Sequence, residues 1–187
     1  DDCQRLVKSF FKLNNQTHEL NLAAVNSINW VRIMGQIVYY FWIYFRVNNT
    51  LSPINFVVPT GNFGNAYAGY ISKKMGLPIK KIVISSNKND ILTRFFDSGK
   101  MVIKNSLTSL SPSMDIQISS NFERQLFESS GRDSDSIKDI FYEFSKNNSY
   151  TFDKDVQNDL QSCYSTTAVS NDETLNAIKQ IKQRYNY

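Results

Sequence analysis

The sequence is poor in the residues from which self-contained catalytic sites are usually built. It has one histidine, His18, so a Ser-His-Asp relay would have to rest on that residue alone, and no nucleophile elbow accompanies it. Two cysteines, Cys3 and Cys163, stand far apart without CxxC spacing. With a single histidine they fall short of a zinc-binding set, and two unpaired thiols suit a reducing cytoplasm. Charge of neither sign dominates. The 21 Lys+Arg and 17 Asp+Glu leave a formal charge of +4, scattered except at Lys73-Lys74 and Lys80-Lys81. Such pairs read as solvated faces, which argues against a nucleic-acid partner. No charged start followed by an apolar stretch marks a secretion leader. The one intensely apolar run, Ile37 to Phe45, is too short to span a bilayer and is bracketed by Arg32 and Arg46. It is expected to be a buried helix, with no membrane partner.

What is present is a globular composition. The chain has 187 residues, 41% hydrophobic and 20% charged, enough for one domain with a real core or for part of a larger one. Leu6, Val7, Phe10 and Phe11 lie at helical spacing within Cys3–Lys12. Leu20 to Val25 reads as a strand. Asn26 or Ser27 is then placed to cap a long helix, Ile28 to Val47. A strand over Ile54–Val58, a helix over Ala66–Met75 closed by Gly76 with Pro78 beyond, and a strand over Lys81–Ser85 follow. Asp90 opens a helix, Ile91–Asp97, closed by Gly99. This alternation argues for a parallel sheet with helices on its faces. Beyond Lys100 the pattern changes to a Ser/Thr/Pro loop over Leu107–Met114 and four helices, Phe122–Ser129, Ser134–Asn147, Phe152–Ser162 and Asp172–Arg184, the last capped by Asp172. The expected fold class is therefore α/β with a mostly helical C-terminal portion. Both ends are expected to be internal to a longer protein. The chain opens on Asp1-Asp2-Cys3 inside an apparent helix and stops on Tyr185-Asn186-Tyr187 without a closing element.

The most telling segment is Pro59-Thr60-Gly61-Asn62-Phe63-Gly64-Asn65, between an apolar strand and a helix start. Backbone N–H groups and the helix dipole favour a phosphate there. Gly61 and Gly64 allow close backbone approach and positive φ, and Asn62 and Asn65 offer amide donors. The pattern alone is equally compatible with an ordinary tight βα turn. It is neither a Walker loop nor the three-glycine dinucleotide fingerprint.

Four ordered segments add a resemblance. They are Asn26-Ser27-Ile28-Asn29-Trp30-x-Arg32 with Gln36–Phe41; the Pro59–Asn65 loop with Ala68-Gly69-Tyr70 and Lys74–Ile79; Asn87-x-Asn89-Asp90-Ile91-Leu92-Thr93-Arg94-Phe95; and Ser111–Gln117 with Ser119–Arg124. Together they resemble threonine synthase over nearly the whole chain, most weakly from Ser134 onward. The resemblance implies a three-layer, parallel-sheet fold of type II (tryptophan synthase beta-like) that uses pyridoxal 5′-phosphate (PLP). It implies a cytoplasmic lyase of threonine biosynthesis that converts O-phospho-L-homoserine and water into L-threonine and phosphate. Residues 1–130 would belong to the cofactor-binding region, and 131–187 to a helical segment of the same enzyme. Gly61, Asn62, Phe63, Gly64 and Asn65 would hold the cofactor phosphate, although many relatives carry Asp where this chain has Asn65. Asn87, Asn89, Asp90 and Arg94 are candidates for the substrate end, with an N-cap or a helix ion pair as the competing readings. Asn26 and Asn29 stand between capping and substrate contact, and Ser111, Ser113 and Asp115 receive no chemical role. No lysine matches the motif of the family's Schiff-base lysine, so this chain alone is expected to be an inactive fragment, and a parallel sheet missing outer strands is expected to leave it marginally stable. The rival readings are a threonine synthase-like phospho-lyase giving 2-oxobutanoate and a remnant that only packs against a partner.

Overall fold

The computed structural model describes residues 2–17, 20–23 and 26–186. His18 and Val25 lie outside them. Helix α1 (Asp2–Thr17) runs past the expected Lys12. The expected strand at Leu20–Val25 is not formed over residues 20–23. Asn14 closes on the backbone of Leu20 from both sides, donating from Nδ2 to its carbonyl (2.7 Å) and accepting its N–H on Oδ1 (2.9 Å). Those groups are therefore unavailable to a sheet ladder.

Helix α2 spans Trp30–Val47 and is capped by Asn29, whose side chain accepts the Val31 N–H. The expected start at Ile28 is displaced because Asn26 forms its own turn. Its Oδ1 accepts the Ile28 N–H (3.1 Å), and its carbonyl accepts the Asn29 N–H (3.1 Å). One stripe of α2 is buried, through Ile33, Tyr40 and Tyr44. Val38, Tyr39, Trp42 and Phe45 on the remaining surface are exposed, so the expectation of a buried helix holds for one face only.

The sheet is built next. Strand β1 (Ile54–Pro59) leads through helix α3 (Gly64–Lys74) to strand β2 (Ile79–Ser86). The two strands pair in parallel, with Val58 opposite Ile84. Gly76, at φ 100°, turns the chain out of α3, and Gly99, at φ 71°, does the same for helix α4 (Ile91–Ser98). Strand β3 (Lys100–Val102) and strand β4 (Ser149–Thr151) form a small antiparallel ribbon. Between them lie a long loop with one 3₁₀ turn at Pro112–Met114, then helices α5 (Phe122–Ser129) and α6 (Ser134–Asn147), both at their expected bounds. Helix α7 (Lys154–Cys163) leads into strand β5 (Tyr164–Ala168), and helix α8 (Asn171–Tyr185) follows.

The three parallel strands are ordered β1-β2-β5. The stretch 131–187, expected to be helical, thus also supplies β4 and β5, and β5 completes the main sheet beside β2. The fold is α/β, as expected. Its core is unusually aromatic: Phe63 packs on Phe122 (centroids 5.0 Å apart) and Tyr164 (5.4 Å), and Phe95 packs on Phe122 (5.7 Å) and Phe152 (4.8 Å). Burying each such ring contributes about 2–3 kcal/mol. Through these rings the β1–α3 turn, α4, α5, the β4–α7 connection and β5 share one interior.

Candidate phosphate-binding site

The turn from β1 to α3 is held from below and from the side. Thr60 donates its N–H to the Ser85 carbonyl (2.8 Å) and its hydroxyl to the Val58 carbonyl (2.7 Å), fixing the loop at the C-terminal edge of the sheet. Ligands of open α/β sheets bind at this edge. Phe63 takes the left-handed conformation (φ 64°) as the N-cap of α3 while its ring sits in the core, 1% exposed. Sequence reasoning allowed the glycines close backbone approach and positive φ. In the fold, neither Gly61 nor Gly64 adopts it. They are small for another reason: a Cβ on Gly61 would sit 2.9 Å from the Ser113 carbonyl, and one on Gly64 would sit 3.3 Å from Asn121 Nδ2.

The carbonyls of the loop are taken by the segment that follows the 3₁₀ turn. Ser119 Oγ donates to the Gly61 carbonyl (2.5 Å). The Asn121 N–H and Nδ2 both donate to the Asn62 carbonyl (3.0 Å each). In a trans peptide the N–H points opposite to the carbonyl, and no described peptide is cis. The N–H groups of Asn62 and Phe63 are therefore turned away from residues 119–121. Among the described residues, those of Gly61, Asn62 and Phe63 have no acceptor. With the start of α3 they border a cavity of about 150 Å³ formed by residues 59–65, Ser27 and Gln36. No carboxylate and no lysine lines it. Such a wall of amides and hydroxyls at the positive end of a helix dipole is suited to an anion.

The five loop residues do not contribute alike. Gly61, Asn62 and Gly64 present backbone, and Phe63 presents its N–H while its ring is committed to the core. Asn65 turns its Oδ1 to Tyr40 Oη, which donates to it (2.7 Å) and lies 2.9 Å from its carbonyl. Burial pushes the Tyr40 hydroxyl well above the usual tyrosine range, so it remains a donor.

The other four candidates do not line this cavity. Asn87 and Asn89 are buried in a polar cluster around Asp115. The Asp115 Oδ1 accepts from Asn87 Nδ2 (2.7 Å), Asn89 Nδ2 (3.0 Å) and Ser109 Oγ (2.6 Å), and its Oδ2 accepts the Ser109 N–H (2.9 Å). The hydroxyl of Ser109 first, then its N–H and the Asn87 amide, hold the Asp115 carboxyl below the usual range. Asn89 Oδ1 accepts the Leu107 N–H (2.8 Å) and Gln117 Nε2 (3.2 Å). Asp90 pairs with Arg94 one turn on (2.8 Å), and Arg94 also donates to the Val102 carbonyl. Sequence reasoning missed Ser27, Gln36 and Thr60 on the cavity wall and gave Ser119 and Asn121 no role. The signal was a run of short hydrogen-bonding residues, Ser119-Ser120-Asn121, just before the apolar start of α5.

A parallel sheet whose first βα turn presents unpaired amides at its C-terminal edge defines an α/β protein with an anion-suited cavity beside its sheet. No family model matches the chain. Comparison with individual proteins is more specific. It is 41% identical over 182 residues to threonine synthase of Pseudomonas aeruginosa, covering 97% of this chain and 39% of that protein. It is 42% identical over 193 residues to the Saccharomyces cerevisiae threonine synthase, covering 97% of this chain and 38% of that protein. Among solved structures, the PLP-bound threonine synthase of Brucella melitensis matches with a TM-score of 0.91 and 42% identity, over 100% of this chain and 40% of that one. The chain belongs to the threonine synthase family. It spans about two fifths of the length of these relatives.

Proposed function

We propose that this chain carries the cofactor-phosphate region of a threonine synthase, a cytoplasmic PLP-dependent lyase that converts O-phospho-L-homoserine and water into L-threonine and phosphate. The observation that carries the reading is the amide-lined cavity at residues 59–65, in a chain that superposes along its whole length on a PLP-bound relative. A phosphate dianion would meet the N–H groups of Gly61, Asn62 and Phe63, the start of α3 and the side chains of Asn62 and Ser27, with no carboxylate opposing it. When bound, PLP supplies an electron sink for bond breaking next to the substrate amine. The chain's own residues anchor and orient. The loop fixes the phosphate end, and Tyr40 holds Asn65 at the start of α3. The network of Asn87, Asn89 and Asp115 secures the segment that leans on Gly61. We assign Asn87, Asn89, Asp90 and Arg94 to this support, since their polar atoms are engaged by protein partners rather than turned to the cavity.

Residues 1–130 form the cofactor-holding portion in this reading, and 131–187 brace it through β5. The reading places the Schiff-base lysine outside this chain, since none of its lysines stands in the family's motif. Alone, the chain should turn over nothing. The test is to supply PLP and O-phosphohomoserine to the complete gene product and quantify threonine, 2-oxobutanoate and phosphate. Threonine equal to phosphate supports the synthase. Phosphate with 2-oxobutanoate and no threonine moves the assignment to a phospho-lyase.

A further inference from the structure

Asn121 is fully buried, yet it touches the cavity only through other groups. Its Nδ2 donates at once to the Asn62 carbonyl (3.0 Å) and to the Ser27 carbonyl (2.9 Å). Asn62 and Ser27 stand on two different walls of the cavity, one from the β1–α3 turn and one from the turn before α2. Its N–H supplies the second bond to Asn62, and its Oδ1 accepts from Arg124 Nε (3.2 Å), whose Nη2 in turn donates to the Ile28 carbonyl (2.8 Å). Two residues earlier, Ser119 Oγ holds the neighbouring carbonyl of Gly61. Both donors of this side chain are thus spent on the two walls and on the plane of the 62–63 peptide, while Ser119 fixes the plane of the 61–62 peptide.

We propose that Asn121, assisted by Ser119, is a positioning residue for phosphate recognition. Asn121 pins the Asn62 carbonyl and so aims the Phe63 N–H at the phosphate, Ser119 pins the Gly61 carbonyl and so aims the Asn62 N–H, and by holding Ser27 Asn121 sets the width of the cavity. The inference rests on the reading that residues 61–65 hold the phosphate of PLP. Without the Asn121 amide the 62–63 peptide is free to rotate, and the loop exchanges a preset donor array for one that must be ordered on binding. The penalty falls on the phosphate and not on the pyridine ring.

The experiment compares PLP with pyridoxal, which lacks the phosphate, as ligands of the cofactor-stripped complete gene product, followed by absorbance titration. Wild type, Asn121→Ala, Asn121→Asp and Ser119→Ala are measured, with ³¹P NMR of the bound phosphate as a second readout. The Asn121 variants should weaken PLP about tenfold, and Ser119→Ala about threefold, with pyridoxal affinity unchanged and the ³¹P resonance displaced. Equal loss for both ligands would reveal a merely structural role and overturn the proposal, as would variants that keep the wild-type preference for PLP. A wild type that does not prefer PLP to pyridoxal would instead sink the phosphate-loop reading itself. Should the Asn121 variants not fold, Ser119→Ala decides by the same two readouts, because it removes one bond without opening a cavity around the buried amide.

Discussion

Phe63 meets two opposed demands at one position. Its backbone is left-handed, which costs a non-glycine residue roughly 1–2 kcal/mol. Its ring lies between Phe122 and Tyr164, and removing a buried ring of this kind costs about 3–5 kcal/mol. Packing wins, which is why an aromatic residue stands where backbone geometry alone would select glycine. Phe63→Gly should therefore destabilise the complete protein by a net ~1–4 kcal/mol despite relieving the strain, measured by urea unfolding. Gly61 shows the converse. Its lack of a side chain admits the Ser113 carbonyl, so Gly61→Ala should cost about 1–3 kcal/mol and weaken PLP more than pyridoxal, because the added methyl displaces the loop it sits in. Tyr164→Phe would leave the buried Gln125 Oε1 without the hydroxyl that donates to it (2.7 Å), a loss of about 1–3 kcal/mol visible as a lower Tm.

At the scale of elements, the loop between β3 and α5 is governed by one carboxylate. Asp115 has a folded pKa depressed below the unfolded one, so its contribution is complete above the ordinary carboxylate value near 3.8 and fades as pH falls through the folded value. Amide exchange over residues 103–121 should accelerate selectively in that acid range, and Asp115→Asn, which sets an amide donor against the Asn87 and Asn89 amides, should abolish the pH dependence. Helix α8 depends on its cap instead. It buries no side chain among the described residues, and Ser170 and Glu173 form a reciprocal capping box, so Ser170→Ala should fray it by about 1 kcal/mol in hydrogen exchange. The box was legible as Ser170-x-x-Glu173, although the sequence reading placed the cap on Asp172. The helices α5 and α6 were legible to the residue because apolar periodicity starts and stops there with polar breaks. Strand β5 was not. No glycine or proline separates it from α7, and its polar Ser165-Thr166-Thr167 run has none of the apolar character of β1 or β2. The turn between β1 and α3 was legible from its glycines and asparagines, but the partners that orient it lie more than fifty residues away, and local pattern carries no information about that pairing.

For the whole molecule, the two faces of α2 set the behaviour of the chain in solution. One face is locked to α3, so closely that a Cβ on Gly69 would fall 2.7 Å from the Tyr40 ring. The other carries Val38 (61% exposed), Tyr39, Trp42 (62%) and Phe45, and Tyr39 shares a groove with the exposed Val57 of β1. Apolar surface of this extent drives association in water. The isolated chain should form aggregates that scatter light and bind a hydrophobic dye, and the pair Val38→Lys and Trp42→Lys should suppress both without lowering helix content. The pinned carbonyls of Gly61 and Asn62 bear on the same molecule as a tolerance map. If most of the recognising groups belong to the main chain, as proposed, side-chain identity at the rim of the cavity should be less constrained than the loop's backbone. Sequence constraint should fall instead on Ser119 and Asn121, which do not line the cavity. A saturation scan scored by growth without threonine would then read as a displaced footprint, with its deepest intolerance on a segment that an inspection of ligand contacts alone would pass over.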